Sequence, residues 1–168
     1  NWNDAVKHAE KALEKGIKKY DPAHVYAVLG FSLNKLARKQ EAIEAHKKSV
    51  EINPRHVMAW RDYGITLRTT GAYDEAEQCY NRALAIKPND ELTIASLGAL
   101  YIFRDKPQKA IELIEPAIQD GVESGATFGN LALAMAMVGR FDDADLYLSK
   151  AIAQYFPEWR NIRQRIQD

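Results

Sequence analysis

Apolar residues recur along this chain at helical spacing, and the whole pattern then repeats. Tyr26, Leu29 and Leu33 stand at i, i+3 and i+7, and so do Trp60, Tyr63 and Leu67. Ile94, Leu97 and Tyr101 form a third such set, and Phe128, Leu131 and Met135 a fourth. Each set is one apolar stripe on a helix of about 3.6 residues per turn. After each stripe comes a second helical segment, marked by Ala42, Ala76, Ala110 and Ala144 and, four residues on, by His46, Tyr80, Ile114 and Leu148. Equivalent members lie 34 residues apart. A fixed period of that size signals stacked helix–turn–helix units. The pattern therefore predicts an all-α chain of antiparallel helix pairs, with units at 23–56, 57–90, 91–124 and 125–158 in one continuous domain.

Small residues follow the same period. Gly30, Gly64 and Gly98 are in phase, and the next step lands on Ala132. A mid-helix Gly costs about 1 kcal/mol relative to Ala, so its recurrence predicts a close helix crossing. Ala42, Ala76, Ala110 and Ala144 are the expected opposing contacts on the second helix. Gly71 and Gly139 are predicted to end first helices, and Pro54 and Pro88 to stop second helices. Unit 91–124 departs from the pattern. Asp105 stands where Gly is usual and is predicted to be an N-cap, with Gln108 completing a capping box. Pro107 suits a first turn, whereas Pro116 falls inside the second helix and is predicted to kink it. Gly121-Val122 replaces the usual Pro, which puts the expected irregularity at 114–124.

Unit 57–90 carries Trp60, Tyr63-Gly64, Leu67, Gly71, Tyr73, Ala76, Tyr80, Ala83 and Pro88. These residues resemble the W-x2-L-G-x2-Y…A-x3-F…P signature of the tetratricopeptide repeat family. The other three units match it in phase, so the resemblance covers 23–158. It implies a right-handed superhelical solenoid whose first helices line a concave groove.

The chain ends extend the pattern. In residues 1–22, Ala5, Ala9 and Ala12 repeat the spacing of Ala76, Tyr80 and Ala83, and Trp2 aligns with Tyr73. That segment is predicted to be the second helix of a truncated repeat followed by a loop, which reads as a fragment or a processed chain. Residues 159–168 carry Trp159, Ile162 and Ile166 at helical spacing with Arg160, Arg163 and Arg165 between. They read as a capping helix with a polar outer face or as the first helix of a further repeat.

Net charge is zero, with 23 basic and 23 acidic residues, but it is unevenly spread. Residues 1–56 carry +4, 57–90 carry −1, 91–158 carry −5 and 159–168 carry +2. This is the pattern of solvated helix faces, or of a bipolar surface that orients a partner or aligns copies head to tail. A neutral chain whose basic residues are not interleaved with aromatics is not expected to bind nucleic acid. No apolar run approaches the roughly 18 residues of a membrane span, so no membrane insertion is expected. The expected location is cytoplasmic.

Catalytic signatures are missing. The sequence has no G-x-G-x-x-G, no Walker-type loop, no H-E-x-x-H and no G-x-S-x-G. His8, His24, His46 and His56 are scattered, and none pairs with Cys79 at a metal-ligand spacing. His46 takes the place of Tyr80 and reads as a packing residue, as does the lone Cys79. Asp74-Glu75 and Asp142-Asp143 open second helices, where the helix dipole favours acid. No catalytic residue, cofactor or metal is expected, and the chain reads as a non-enzyme.

The resemblance places a partner-binding groove on the first helices. The candidate residues are Phe31, Asn34 and Lys35, then Met58, Arg61, Asp62, Ile65 and Arg68. In the later units they are Leu92, Ala99 and Phe103, followed by Asn130, Leu133 and Met137. The co-chaperones of this family grip a terminal carboxylate with Lys, Asn and Arg. Here the matching places hold Ala27, Phe31, Asp62, Leu92 and Ser96, which argues against such a clamp. The expected function is a scaffold or adaptor holding a partner peptide or amphipathic helix, with acidic groups placed against Arg61 and Arg68. A recruiting arm of a larger enzyme and a self-assembling scaffold are the alternatives.

Overall fold

The computed structural model describes residues 1–16 and 20–155. The elements are α1 (Trp2–Glu14), α2 (Pro22–Lys35), α3 (Lys39–Ile52), α4 (Val57–Thr69), α5 (Tyr73–Ile86), α6 (Glu91–Phe103), α7 (Pro107–Gln119), α8 (Gly125–Met137) and α9 (Phe141–Tyr155). No strand occurs among the described residues. The helices group into two units, Asn1–Pro88 with α1–α5 and Asn89–Asp168 with α6–α9.

Within each unit every helix packs on the next, and first helices also pack on one another, α2 on α4 and α6 on α8. The pairs are antiparallel. Ser49, near the end of α3, donates its hydroxyl to the carbonyl of Ala23 at the start of α2, 2.6 Å away. The predicted stripes form the cores. In the first unit, Leu29 and Leu33 meet Val6, Ala42 and Ala45. In the second, Ile94, Leu97, Leu131 and Met135 are fully buried.

The repeated glycines have a different partner from the expected one. A Cβ on Gly30 would lie 2.7 Å from the His46 ring, one on Gly64 2.7 Å from Tyr80, and one on Gly98 2.7 Å from Ile114. Each Gly is thus a notch that receives the large side chain four residues after the periodic alanine, not the alanine itself. Ala42, Ala76 and Ala110 are small because they are fully buried at the helix contact. The last repeat replaces the notch with Ala132 and the large ring with Leu148, which is 49% exposed.

First helices share one ending. The chain turns through a left-handed residue at Ala37 (φ 60°), Gly71 (φ 86°), Asp105 (φ 54°) and Gly139 (φ 82°). In each case the next amide closes a six-residue turn, as in Ala72 N–H to the Leu67 carbonyl and Lys106 N–H to the Tyr101 carbonyl. This is the Schellman ending, which satisfies carbonyls that the helix leaves free. Asp105 is therefore the left-handed turn residue and not the N-cap expected of it. The cap position falls on Lys106 and makes no side-chain bond, and Gln108 donates instead to Glu112. The reason is positional: Asp tolerates the left-handed region, and the turn has to be made there.

Ala37 makes the same turn with a Cβ, at a cost of about 1 kcal/mol. Ala37→Gly is expected to raise the urea midpoint slightly, by the equivalent of about 0.5 kcal/mol or less once the added flexibility of the unfolded chain is subtracted. A lowered midpoint would show that the turn is unstrained.

α7 runs on through Pro116 to Gln119. The irregular exit expected at 114–124 takes the form of one more left-handed turn, at Gly121 (φ 90°). The Val122 amide closes it onto the Ala117 carbonyl at 2.9 Å, and the Val122 side chain is buried. α8 then starts at a capping box between Ser124 and Thr127. At the N-terminal end α1 is helical, as the alanine spacing predicts. The expectation for 159–168 lies outside the described residues, as does 17–19 of the first loop.

Candidate partner-binding faces

In each unit two first helices lie side by side, α2 with α4 and α6 with α8. In the first unit the candidate residues are largely engaged with one another. Phe31 meets Trp2 of α1 edge-on, ring centres 5.5 Å apart, and the Lys35 ammonium sits 5.2 Å from the Phe31 ring centre. Asn34 accepts from the Lys39 ammonium at 2.6 Å and so ties the end of α2 to the start of α3. Arg61 pairs with its neighbour Asp62 at 3.2 Å, and both side chains are mostly buried. Ile65 and Arg68 are half-buried, and Met58 is exposed.

Arg68 and Tyr80 form a buried polar spot. The Arg68 Nε and the Tyr80 hydroxyl have no hydrogen-bond partner. Burial pushes the Tyr80 phenol up to about 12, an effect the nearby Arg68 charge opposes. His46 is fully buried, and neither ring nitrogen has a partner. Burial alone holds its pKa down at about 4, so the ring is neutral. It stacks on Tyr63 at 6.2 Å, which makes it the packing residue expected from its place in the repeat. Cys79 is buried as well, and burial raises its thiol to about 12, far from a reactive thiolate.

His24 and His56 stack at 5.8 Å. Burial first, and the His24 charge second, lower the pKa of His56. The His56 Nδ1 accepts from the Ala59 amide and caps α4. This is a capping role, and no group of three or more metal-ligating side chains occurs among the described residues.

The second unit is different. Leu92 is 56% exposed, Phe103 65%, Leu133 52% and Met137 41%. They lie on α6 and α8, which pack side by side, with Ala99 half-buried between. Glu91 is the only Asp, Glu, Lys or Arg on these two helices. Asn130 donates to the Ala95 carbonyl at 2.8 Å and locks α8 onto α6. Its role is structural, which spacing alone did not reveal. Contiguous exposed apolar faces are a common feature of interaction surfaces. The sequence search missed a further feature of the first unit, a groove between α1 and α2. Its sequence signal is Ala9, which stands where α3 and α5 carry His46 and Tyr80.

Stacked antiparallel helix pairs with an apolar inner face define a helical-repeat protein of the interaction-scaffold class. A family profile described as "Tetratricopeptide repeat" matches residues 32–91. The Caenorhabditis elegans protein "Tetratricopeptide repeat protein 8" is 24% identical over 97% of this chain, which spans 33% of that relative's length. The crystal structure of MamA superposes with a TM-score of 0.78 at 22% identity, over 95% of this chain and 91% of that one. The structure titled "YrrB: a TPR protein with an unusual peptide-binding site" gives 0.70 at 19% identity, over 87% and 74%. The chain belongs to the tetratricopeptide repeat family.

Proposed function

We propose that this chain is a non-catalytic scaffold that holds a partner peptide or amphipathic helix on the inner faces of its first helices. The observation that carries the reading is the row Leu92, Phe103, Leu133 and Met137 on α6 and α8, each more than two-fifths exposed. A guest with apolar anchors would bury these side chains at about 25 cal/mol per Å² of apolar surface. YrrB is described as having a peptide-binding site, and the same use is proposed here. Arg61 is taken up by Asp62, which favours apolar anchoring in the second unit over acid recognition in the first.

Leu92→Glu combined with Leu133→Glu tests this. Both side chains are more than half exposed, so the melting temperature is expected to move by only about 2 °C. Affinity for partners captured by the unaltered chain is expected to fall about tenfold or more, as measured by quantitative pull-down and titration calorimetry. Unchanged capture by the double variant would move binding off this face.

A further inference from the structure

The first helices of the two units end differently. Asn34 and Lys35 close α2, and Arg68 and Thr69 close α4 one 34-residue period later. The same repeat positions close α6 with Ile102 and Phe103, and α8 with Ala136 and Met137. These places are apolar in the second unit and polar or cationic in the first. α2 and α4 pack side by side, so Lys35 and Arg68 stand at the same end of one helix pair.

Three observations describe what fits there. The first is charge without a counter-charge. Among the described residues neither Lys35 nor Arg68 is in an ion pair. Lys35 is exposed, and its ammonium lies over the Phe31 ring, 5.2 Å from the centre. Other charges on these helices are engaged. Asn34 holds Lys39 at 2.6 Å, and Arg61 and Asp62 hold each other at 3.2 Å.

The second observation is a pair of donors without acceptors. Arg68 is half-buried, and its Nε–H is buried with no hydrogen-bond partner. The Tyr80 ring is fully buried against α4 at Gly64. Its hydroxyl also has no partner and lies within reach of the Arg68 and Asp62 charges. A guanidinium partly withdrawn from water attracts an anion more strongly than a fully hydrated one. The third observation is an apolar neighbourhood. Phe31 and Ile65 occupy equivalent repeat positions one turn before Lys35 and Arg68, and both are half-buried.

We propose that Lys35 and Arg68 receive a side-chain carboxylate, Asp or Glu, of the partner peptide, with an adjoining apolar residue of that peptide resting on Phe31 and Ile65. Arg68 supplies the directional contact and Lys35 a point charge. The proposal rests on the reading of the first-helix faces as partner surfaces, and its site lies within the first unit alone.

The probe is selected rather than guessed. Random peptides displayed on phage through their C-termini are panned on the chain. Enriched sequences are then synthesised with amidated C-termini, which leaves only side-chain carboxylates. These peptides are expected to carry Asp or Glu beside an apolar residue. Replacing that acid by its amide, and separately Arg68→Gln, should each raise Kd about tenfold, read by fluorescence anisotropy. The two changes together should cost little more than either alone, because both remove one contact. Lys35→Gln should raise Kd about threefold, an effect that high salt abolishes. Lys35 is exposed, so that variant keeps the fold even if Arg68→Gln does not. Enriched peptides without an acid, equal binding of the amide form, unchanged binding by both variants, or no enrichment overturns the proposal. Peptides weakened only by Leu92→Glu with Leu133→Glu would overturn it and leave the α6–α8 reading standing. Peptides weakened only by the Arg68 and Lys35 changes would support it and leave α6–α8 without a guest. Two further results would overturn it. If the protein at its full native length rejects the peptides, its own polypeptide fills the site. If the chain self-associates and Arg68→Gln abolishes this, a second copy is the occupant.

Discussion

Replacing Gly64 with valine is expected to remove about 3 kcal/mol of stability. A Cβ at Gly64 would lie 2.7 Å from Tyr80 Cε1 and 2.9 Å from Cδ1. Tyr80 is fully buried, so its ring has nowhere to swing. Even Gly64→Ala, which gains about 1 kcal/mol of helix propensity, is expected to lose stability on balance, because the ring has to shift. The last repeat carries the alternative pair of residues, Ala132 at the notch position and Leu148 at the ring position. Gly64→Ala with Tyr80→Leu is accordingly expected to lose less than the sum of the two single changes, with a coupling of about 1–2 kcal/mol. Urea unfolding of the four proteins measures this. Strict additivity would show that the notch and the ring do not constrain each other.

The second large effect depends on pH. His46 is buried with no partner for either nitrogen and stays neutral down to about pH 4. In the unfolded chain an imidazole takes up its proton near 6.5. Between these values the unfolded state binds more protons, so acid draws the equilibrium towards it. The loss starts as the pH falls through 6.5 and is complete near 4, where it amounts to about 3 kcal/mol. His46→Ile puts the side chain of Ile114 at the equivalent place. At pH 7.5 it is expected to stabilise the fold by about 1 kcal/mol, because it removes an unsatisfied buried donor. At pH 4.5 that advantage should grow by about 2–3 kcal/mol. Carboxylate titration affects both proteins alike and cancels in the difference. An advantage that stays constant with pH would mean that His46 is already solvated or charged in the folded state.

Both predictions concern one feature, a notch and a ring, of which the sequence displayed only half. Periodicity placed Gly30, Gly64 and Gly98 at a helix crossing and assigned the crossing to the wrong partner. The spacing of Ala42, Ala76 and Ala110 is as regular as that of His46, Tyr80 and Ile114, and regularity does not say which of two side chains faces a notch. Asp105 was misread for a similar reason. Its residue type suits both a helix cap and a left-handed turn, and the choice depends on where the backbone has to reverse.

The candidate faces divide in the same way. Leu92, Phe103, Leu133 and Met137 were legible because they fall off the interior stripe on helices almost free of charge. Asn34, Arg61, Asp62 and Asn130 fall on the same face by spacing. The bonds of Asn34 to Lys39 and of Asn130 to the Ala95 carbonyl join one helix to another, whereas Arg61 and Asp62 pair as neighbours within α4.

By itself the sequence determined the repeat class, the helices to within a residue or two, and the apolar stripes that bury the core. These are local properties, set by a helical period and by turn residues that act over a few positions. Only the tertiary structure decided which ring fills which glycine notch, which polar groups are already satisfied and which apolar side chains stay exposed. The glycine contacts and the Asn130 bond join residues sixteen or more positions apart, and helical periodicity carries no record of such contacts.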